Sequence, residues 1–132
     1  MSTATMNLLA VLFSPVIAVV VTLWYQSRKE KRDTKIRIFQ TLMAHRKSSP
    51  PHPALVEVLN VLDVVFADTT EVVRLWHEYY DLTYTRPLNL QAMNHKYTDL
   101  LFAIAQNLGY KKLKQTDIDK FYTPQGLADQ YV

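Results

Sequence analysis

The first 27 residues of this chain contain no charged side chain, and six of the next ten, residues 28–37, are Lys or Arg. Leu8 to Tyr25 (LLAVLFSPVIAVVVTLWY) is an apolar run of 18 residues. At about 1.5 Å rise per helical residue it spans roughly 27 Å, close to the hydrocarbon thickness of a bilayer. Arg28, Lys29, Lys31, Arg32, Lys35 and Arg37 follow immediately. Because Lys- and Arg-rich flanks stay on the cytoplasmic side, the pattern predicts an inner-membrane anchor with its N-terminus outside and the rest of the chain in the cytoplasm. Trp24 and Tyr25 stand at the expected headgroup boundary, where an aromatic ring with a polar tip is favoured. With Arg28, Lys29, Lys31 and Arg32 they are the candidate membrane-interface residues.

Two blander readings compete with an anchor. A cleaved secretory signal has a basic n-region and a small-residue cleavage site. Here MSTATMN carries no basic residue, and bulky Leu23-Trp24-Tyr25 fills the cleavage zone. A core helix of a soluble protein would show a polar face, whereas Leu8 to Leu23 offers only Ser14 and Thr22, which can bond back to their own helix. Pro15 is expected to kink the span near Leu12, which membrane helices tolerate. Ser14 and Ala18 have small-x-x-x-small spacing, a weak motif for self-association.

Charge is partitioned along the chain. Residues 28–37 hold six basic and two acidic side chains, and residues 38–132 hold nine basic and ten acidic. The overall excess is therefore juxtamembrane, suited to anionic lipid headgroups at about 1 kcal/mol per basic residue. It does not form the basic face that a nucleic-acid partner requires. The absence of cysteine excludes disulfides and thiolate chemistry. Two glycines are too few for a phosphate-cradling loop or a dinucleotide fingerprint.

Past the anchor the periodicity is helical. Ile36, Phe39, Leu42 and Met43 make one apolar stripe, continuing the anchor as one helix or two nearly collinear ones. KSSPPHP (47–53) reads as a loop. Ala54 to Phe66 places Leu55, Leu59, Leu62 and Phe66 on one side of a helix. Asp68 or Thr69 is set to cap the next, with Glu71 completing a capping box; it runs to about Leu82 and presents Val72, Leu75, Trp76, Tyr79 and Tyr80. Leu90 to Leu108 is the clearest helix, with Met93, Tyr97, Leu100, Leu101, Ile104 and Leu108 inward and Gly109 as its stop. A polar tail follows, with a short helix at Asp117–Phe121 and a turn at Pro124–Gly126. The fold expected is all-α: one transmembrane helix leading into a small cytoplasmic bundle of about four helices. Its regions are an anchor over 1–27, a basic juxtamembrane helix over 28–47 and a helical domain over 48–132.

No catalytic or metal-binding set emerges. His45, His52, His77 and His95 include no pair at ligand spacing on one helix. His77 and Asp81 are four apart and read as a solvated surface pair. Asp117 and Asp119 supply two carboxylates, short of a hard-cation cage. The candidate interaction or structural polar residues are Arg46, Asn60, Asp63, Trp76, Tyr79, Tyr110 and Tyr122. Asp63 is either on the solvent face or buried with a partner such as Arg46 or a helix-end amide. Trp and Tyr are enriched at protein interfaces, so any exposed part of the aromatic group suits a protein partner.

IRIFQTLMAHR (36–46), LNVLDVVF (59–66), LWHEYY (75–80), DLLFAIAQNLGY (99–110) and FYTPQG (121–126) follow one another in an order that resembles a bacterial and phage-associated family of unknown function. Members of that family pair an N-terminal hydrophobic segment with a small helical cytoplasmic domain. The resemblance covers nearly the whole chain and implies motif positions at Arg46, Asn60, Asp63, Phe66, Trp76, Tyr79, Gly109, Tyr110, Tyr122 and Pro124. It implies no enzyme activity and no cofactor. Thr123 and Leu127 depart from a tail that is often richer in Tyr and His.

The expected function is non-enzymatic: a single-pass inner-membrane protein whose helical domain binds an unidentified protein partner or self-associates. Its other contact is the bilayer, through anionic headgroups at the basic cluster. Alternatives are a membrane-perturbing phage or defence effector acting through oligomerised anchors, and then a small-ligand-binding domain or enzyme. The absence of ionisable residues in the span argues against an aqueous pore.

Overall fold

A computed structural model describes residues 2–48 and 50–120. They form six helices, and no strand occurs among them: α1 (Thr3–Ala44), α2 (Pro53–Asn60), α3 (Leu62–Val65), α4 (Thr70–Tyr84), α5 (Leu90–Leu108) and α6 (Gln115–Asp119). The chain divides into two compact units, Met1–Asp33 and Thr34–Val132.

The first unit is the N-terminal part of α1. The helix runs through Pro15 uninterrupted, and Thr22 Oγ1 donates to the Ala18 carbonyl at 2.8 Å, absorbing a hydroxyl within the apolar segment. No residue of that segment is buried.

The second unit is built around an apolar core. The last turns of α1 contribute Ile38, Phe39 and Leu42, with Ile36 and Met43 partly covered, following the predicted stripe. Pro53 opens α2 at a position where its missing N–H costs nothing, and the Nδ1 atom of His52 accepts the Ala54 N–H at 3.0 Å.

The single helix expected over 54–66 is instead two. Val61 adopts φ −107° and ψ 1°, and its N–H turns to the Val58 carbonyl, three residues back, at 3.3 Å. Five valines in this stretch weaken helix propensity, so a tight turn at Val61 is inexpensive. Leu55, Leu59, Leu62 and Phe66 nevertheless all enter the core.

The capping box expected at α4 does not form. Thr69 caps with no side-chain bond, because Asp68 is drawn to Lys35 Nζ at 3.1 Å and Glu71 to Arg74 at 2.6 Å. Ion-pair partners within reach outcompete the local cap.

α4 and α5 make the largest helix–helix contact of the described residues. Val72 and Leu75 meet Leu100, Leu101 and Ile104 in the core, and the Tyr79 and Tyr97 rings lie 5.5 Å apart. Lys96 Nζ to Glu78 at 2.9 Å ties the two helices at the surface. Fully burying an aliphatic or aromatic side chain is worth about 1.5–3 kcal/mol, so Phe66, Leu62, Leu100 and Ile104, all wholly buried, anchor this unit.

α5 ends as its glycine predicts. Gly109 sits at φ 90°, its N–H donates to Gln106 and the Tyr110 N–H reaches back to Ala105 at 2.9 Å, closing a Schellman motif. α6 lies two residues earlier than expected. Asp117 Oδ2 accepts the Lys114 N–H at 3.0 Å and starts the turn, and Ile118 plugs the core.

Candidate interaction site

The candidate membrane-interface residues occupy exposed positions on the first unit. Trp24 and Tyr25 are open, and the Arg28 guanidinium lies 4.8 Å from the Trp24 ring centroid, one turn on. Lys29, Lys31 and Arg32 are also exposed.

In the second unit the candidate polar residues do not converge on one site. Asp63 is exposed, and its partner is neither Arg46 nor a helix amide: Oδ1 lies 2.9 Å from His77 Nε2 on α4. The turn at Val61 leaves Asp63 beside α4, so His77 pairs there rather than with Asp81. Asn60 is exposed at the end of α2.

Arg46 has a structural task. Its Nε donates to the Ile118 carbonyl at 2.6 Å, one terminal nitrogen to Met43 at 2.5 Å and the other to the Lys120 carbonyl. One guanidinium thus satisfies carbonyls at the C-terminal ends of both α1 and α6, where helices leave acceptors unpaired. Burial lowers its pKa, with Tyr97 and Asp119 opposing that shift. Tyr97 does a parallel job: its buried hydroxyl donates to the Leu42 carbonyl at 2.9 Å, and desolvation raises its pKa.

The aromatic residues separate into two groups. On α4 the Trp76, Tyr80 and Tyr84 rings form a ladder, with centroid separations of 5.9 and 4.8 Å. Trp76 and Tyr79 pack against the core, while Tyr80 and Tyr84 face solvent. Tyr110 belongs elsewhere: it stacks on Phe39 at 5.6 Å and helps line a groove of about 830 Å³. Phe39, Met43, Tyr110 and Leu113 give that groove an apolar floor, and Lys111 and Lys112 line it as well. Tyr122 and Pro124 lie outside the described residues, as does the expected turn at Pro124–Gly126.

Several working residues escaped the sequence reading. Lys35 pairs with Asp68 and also sits 5.4 Å from the Phe66 ring centroid, yet in the sequence it is one more basic residue of the cluster. Tyr97 was legible as core but not as a cap. The groove lacked any local signature except the run Lys111-Lys112-Leu113-Lys114, an apolar residue framed by lysines.

Asp117 and Asp119 are engaged separately, the first with the Lys114 N–H and the second with the Thr98 hydroxyl at 3.3 Å. The arrangement offers an aromatic surface on α4 and an apolar groove lined in part by lysines. Among curated proteins and solved structures, none matches the chain. A family model matches residues 1–131, and on that extent the chain belongs to DUF6680, a family of unknown function.

Proposed function

We propose that the chain is a non-enzymatic, single-pass inner-membrane protein. Its N-terminus lies outside, and its cytoplasmic domain, a bundle of about four helices, binds a protein partner or another copy of itself. The observation that carries this reading is the exposure of the apolar half of α1. Ten of the eleven large apolar side chains from Leu8 to Leu23 are between 56% and 69% exposed, and none of the eleven is buried. Removing such side chains from water is worth on the order of 15–30 kcal/mol in total, a gain that lipid supplies. A soluble core helix is disfavoured by the same exposure, and a cleaved signal by the uncharged n-region.

The interaction role is supported by the solvent-facing Tyr80 and Tyr84 and by the groove at Tyr110. A tethered domain meets other membrane-bound proteins at raised effective concentration. Anionic headgroups at Arg28, Lys29, Lys31 and Arg32 complete the set of contacts.

Because the chain has no cysteine, Ser2→Cys and Ser48→Cys are clean topology probes. In intact cells an impermeant thiol reagent is expected to label the Ser2→Cys chain and not the Ser48→Cys chain. In-cell amine crosslinking is expected to give a ladder or a foreign band. Labelling at position 48 from outside overturns the orientation, and correct topology without any crosslink overturns the interaction role.

A further inference from the structure

Lys111 and Lys112 line the apolar groove of the second unit, and Lys114 follows outside the lining, at the N-cap of α6. Among the described residues none of the three ammonium groups is paired with a carboxylate. Three lysines within four residues are conspicuous in a region, residues 38–132, that holds nine basic and ten acidic side chains. Asp117 also lines the groove and accepts the Lys114 N–H, so one carboxylate stands against the two lysines of the lining. The groove therefore presents a concave apolar floor with a positive edge.

The same unit carries the complementary surface. Along α2 and α3, Val56, Val61 and Val64 are exposed at 45%, 42% and 79%, an unusual set for β-branched apolar residues. Glu57 and Asp63 are exposed on the same pair of helices, Asp63 also pairing with His77 at 2.9 Å. This surface is apolar and acidic, and it shares no residue with the groove.

We infer that a second copy of this chain occupies the groove, seating its α2–α3 face on Phe39, Met43, Tyr110 and Leu113 with Glu57 and Asp63 against the lysines. The inference rests on the self-association half of the proposed function and names the surfaces that carry it. Two different patches in contact make a heterologous interface, which either closes as a pair with each contact made twice or runs on into a chain of copies. A lipid surface is a poorer occupant, because the apolar atoms form a floor instead of projecting. Nucleic acid would require a wider basic face.

The test uses full-length protein in membranes, with two differently tagged copies co-expressed. One copy carries Val64→Cys and the other Gln40→Cys, an exposed residue lining the groove. Mild oxidation is expected to yield a mixed-tag disulfide. Lys111→Glu with Lys112→Glu on the groove copy should lower its yield about fivefold or more. Glu57→Lys with Asp63→Lys on the other copy should restore it, and circular dichroism should show every variant equally helical. Restoration by the second reversal is an outcome that general misfolding does not produce.

Absence of the mixed disulfide, or a yield indifferent to both reversals, overturns the pairing. If an amine-crosslinked ladder then persists, self-association stands and uses another surface. If the lysine reversals instead remove a foreign band, the groove serves an acidic segment of another protein. If they release only a lipid-dependent signal, the occupant is the bilayer.

Discussion

Tyr97 shows how one buried hydroxyl can hold two helices in register. Its O–H satisfies the Leu42 carbonyl, in the last turn of α1, from the middle of α5. Tyr97→Phe keeps the ring and strands a buried acceptor, so urea unfolding should report a loss of about 1–3 kcal/mol. The tyrosine also fixes the sign of the alkaline limb. Burial raises its pKa, so the neutral form is the one the fold stabilises; that contribution is complete below the unfolded value of about 10 and is lost as pH rises beyond it. Stability of the wild type should fall more steeply above pH 10 than that of Tyr97→Phe. Sequence periodicity placed Tyr97 inward, but its hydroxyl partner lies 55 residues away, beyond what spacing can reveal. Arg46 and Asp63 make the same point. Both were recognised as informative, and each found a partner fixed only by tertiary packing: helix-end carbonyls for Arg46, and His77 for Asp63.

Elements were more legible than side-chain partners. The expected bounds of α5 match the observed ones because the apolar stripe ends at a glycine, and in the structure the Asn89 side chain, accepting the Ala92 N–H, holds its start. The glycine is required for its backbone alone. A Cβ at Gly109 would meet nothing within 4 Å, so the cost of Gly109→Ala comes from φ 90° rather than from crowding. Thermal or urea unfolding should show a loss of about 1–2 kcal/mol, with Gly109→Asn costing less. α2 and α3 look like one helix in the sequence, since the pattern of buried leucines survives the turn at Val61 unchanged. The periodicity records which residues enter the core and not whether the backbone between them is continuous. At α4 the capping-box spacing was present, but Lys35 and Arg74 claimed its carboxylates.

At the level of the molecule, the separation into an apolar N-terminal segment and a near-neutral helical domain was plain in the sequence, because hydropathy and charge are properties of composition along the chain. The groove was not, since its floor joins α1 to the turn after α5. Two kinds of membrane attachment leave different signatures. A chain held by its basic residues alone washes off in high salt, whereas one held by an apolar span stays in the pellet until detergent is added. The second behaviour is expected, read by fractionating membranes and blotting both phases. The caps on α1 carry a consequence for biosynthesis. Chains emerge from the ribosome N-terminus first; the hydroxyl that satisfies the Leu42 carbonyl lies 55 residues later at Tyr97, and the carbonyl that holds Arg46, which caps Met43, lies 72 residues beyond that arginine at Ile118. The apolar segment is thus translated and available for insertion while the domain behind it still lacks the atoms needed to close. In an anchored chain, attachment comes before folding, and the domain completes itself already tethered.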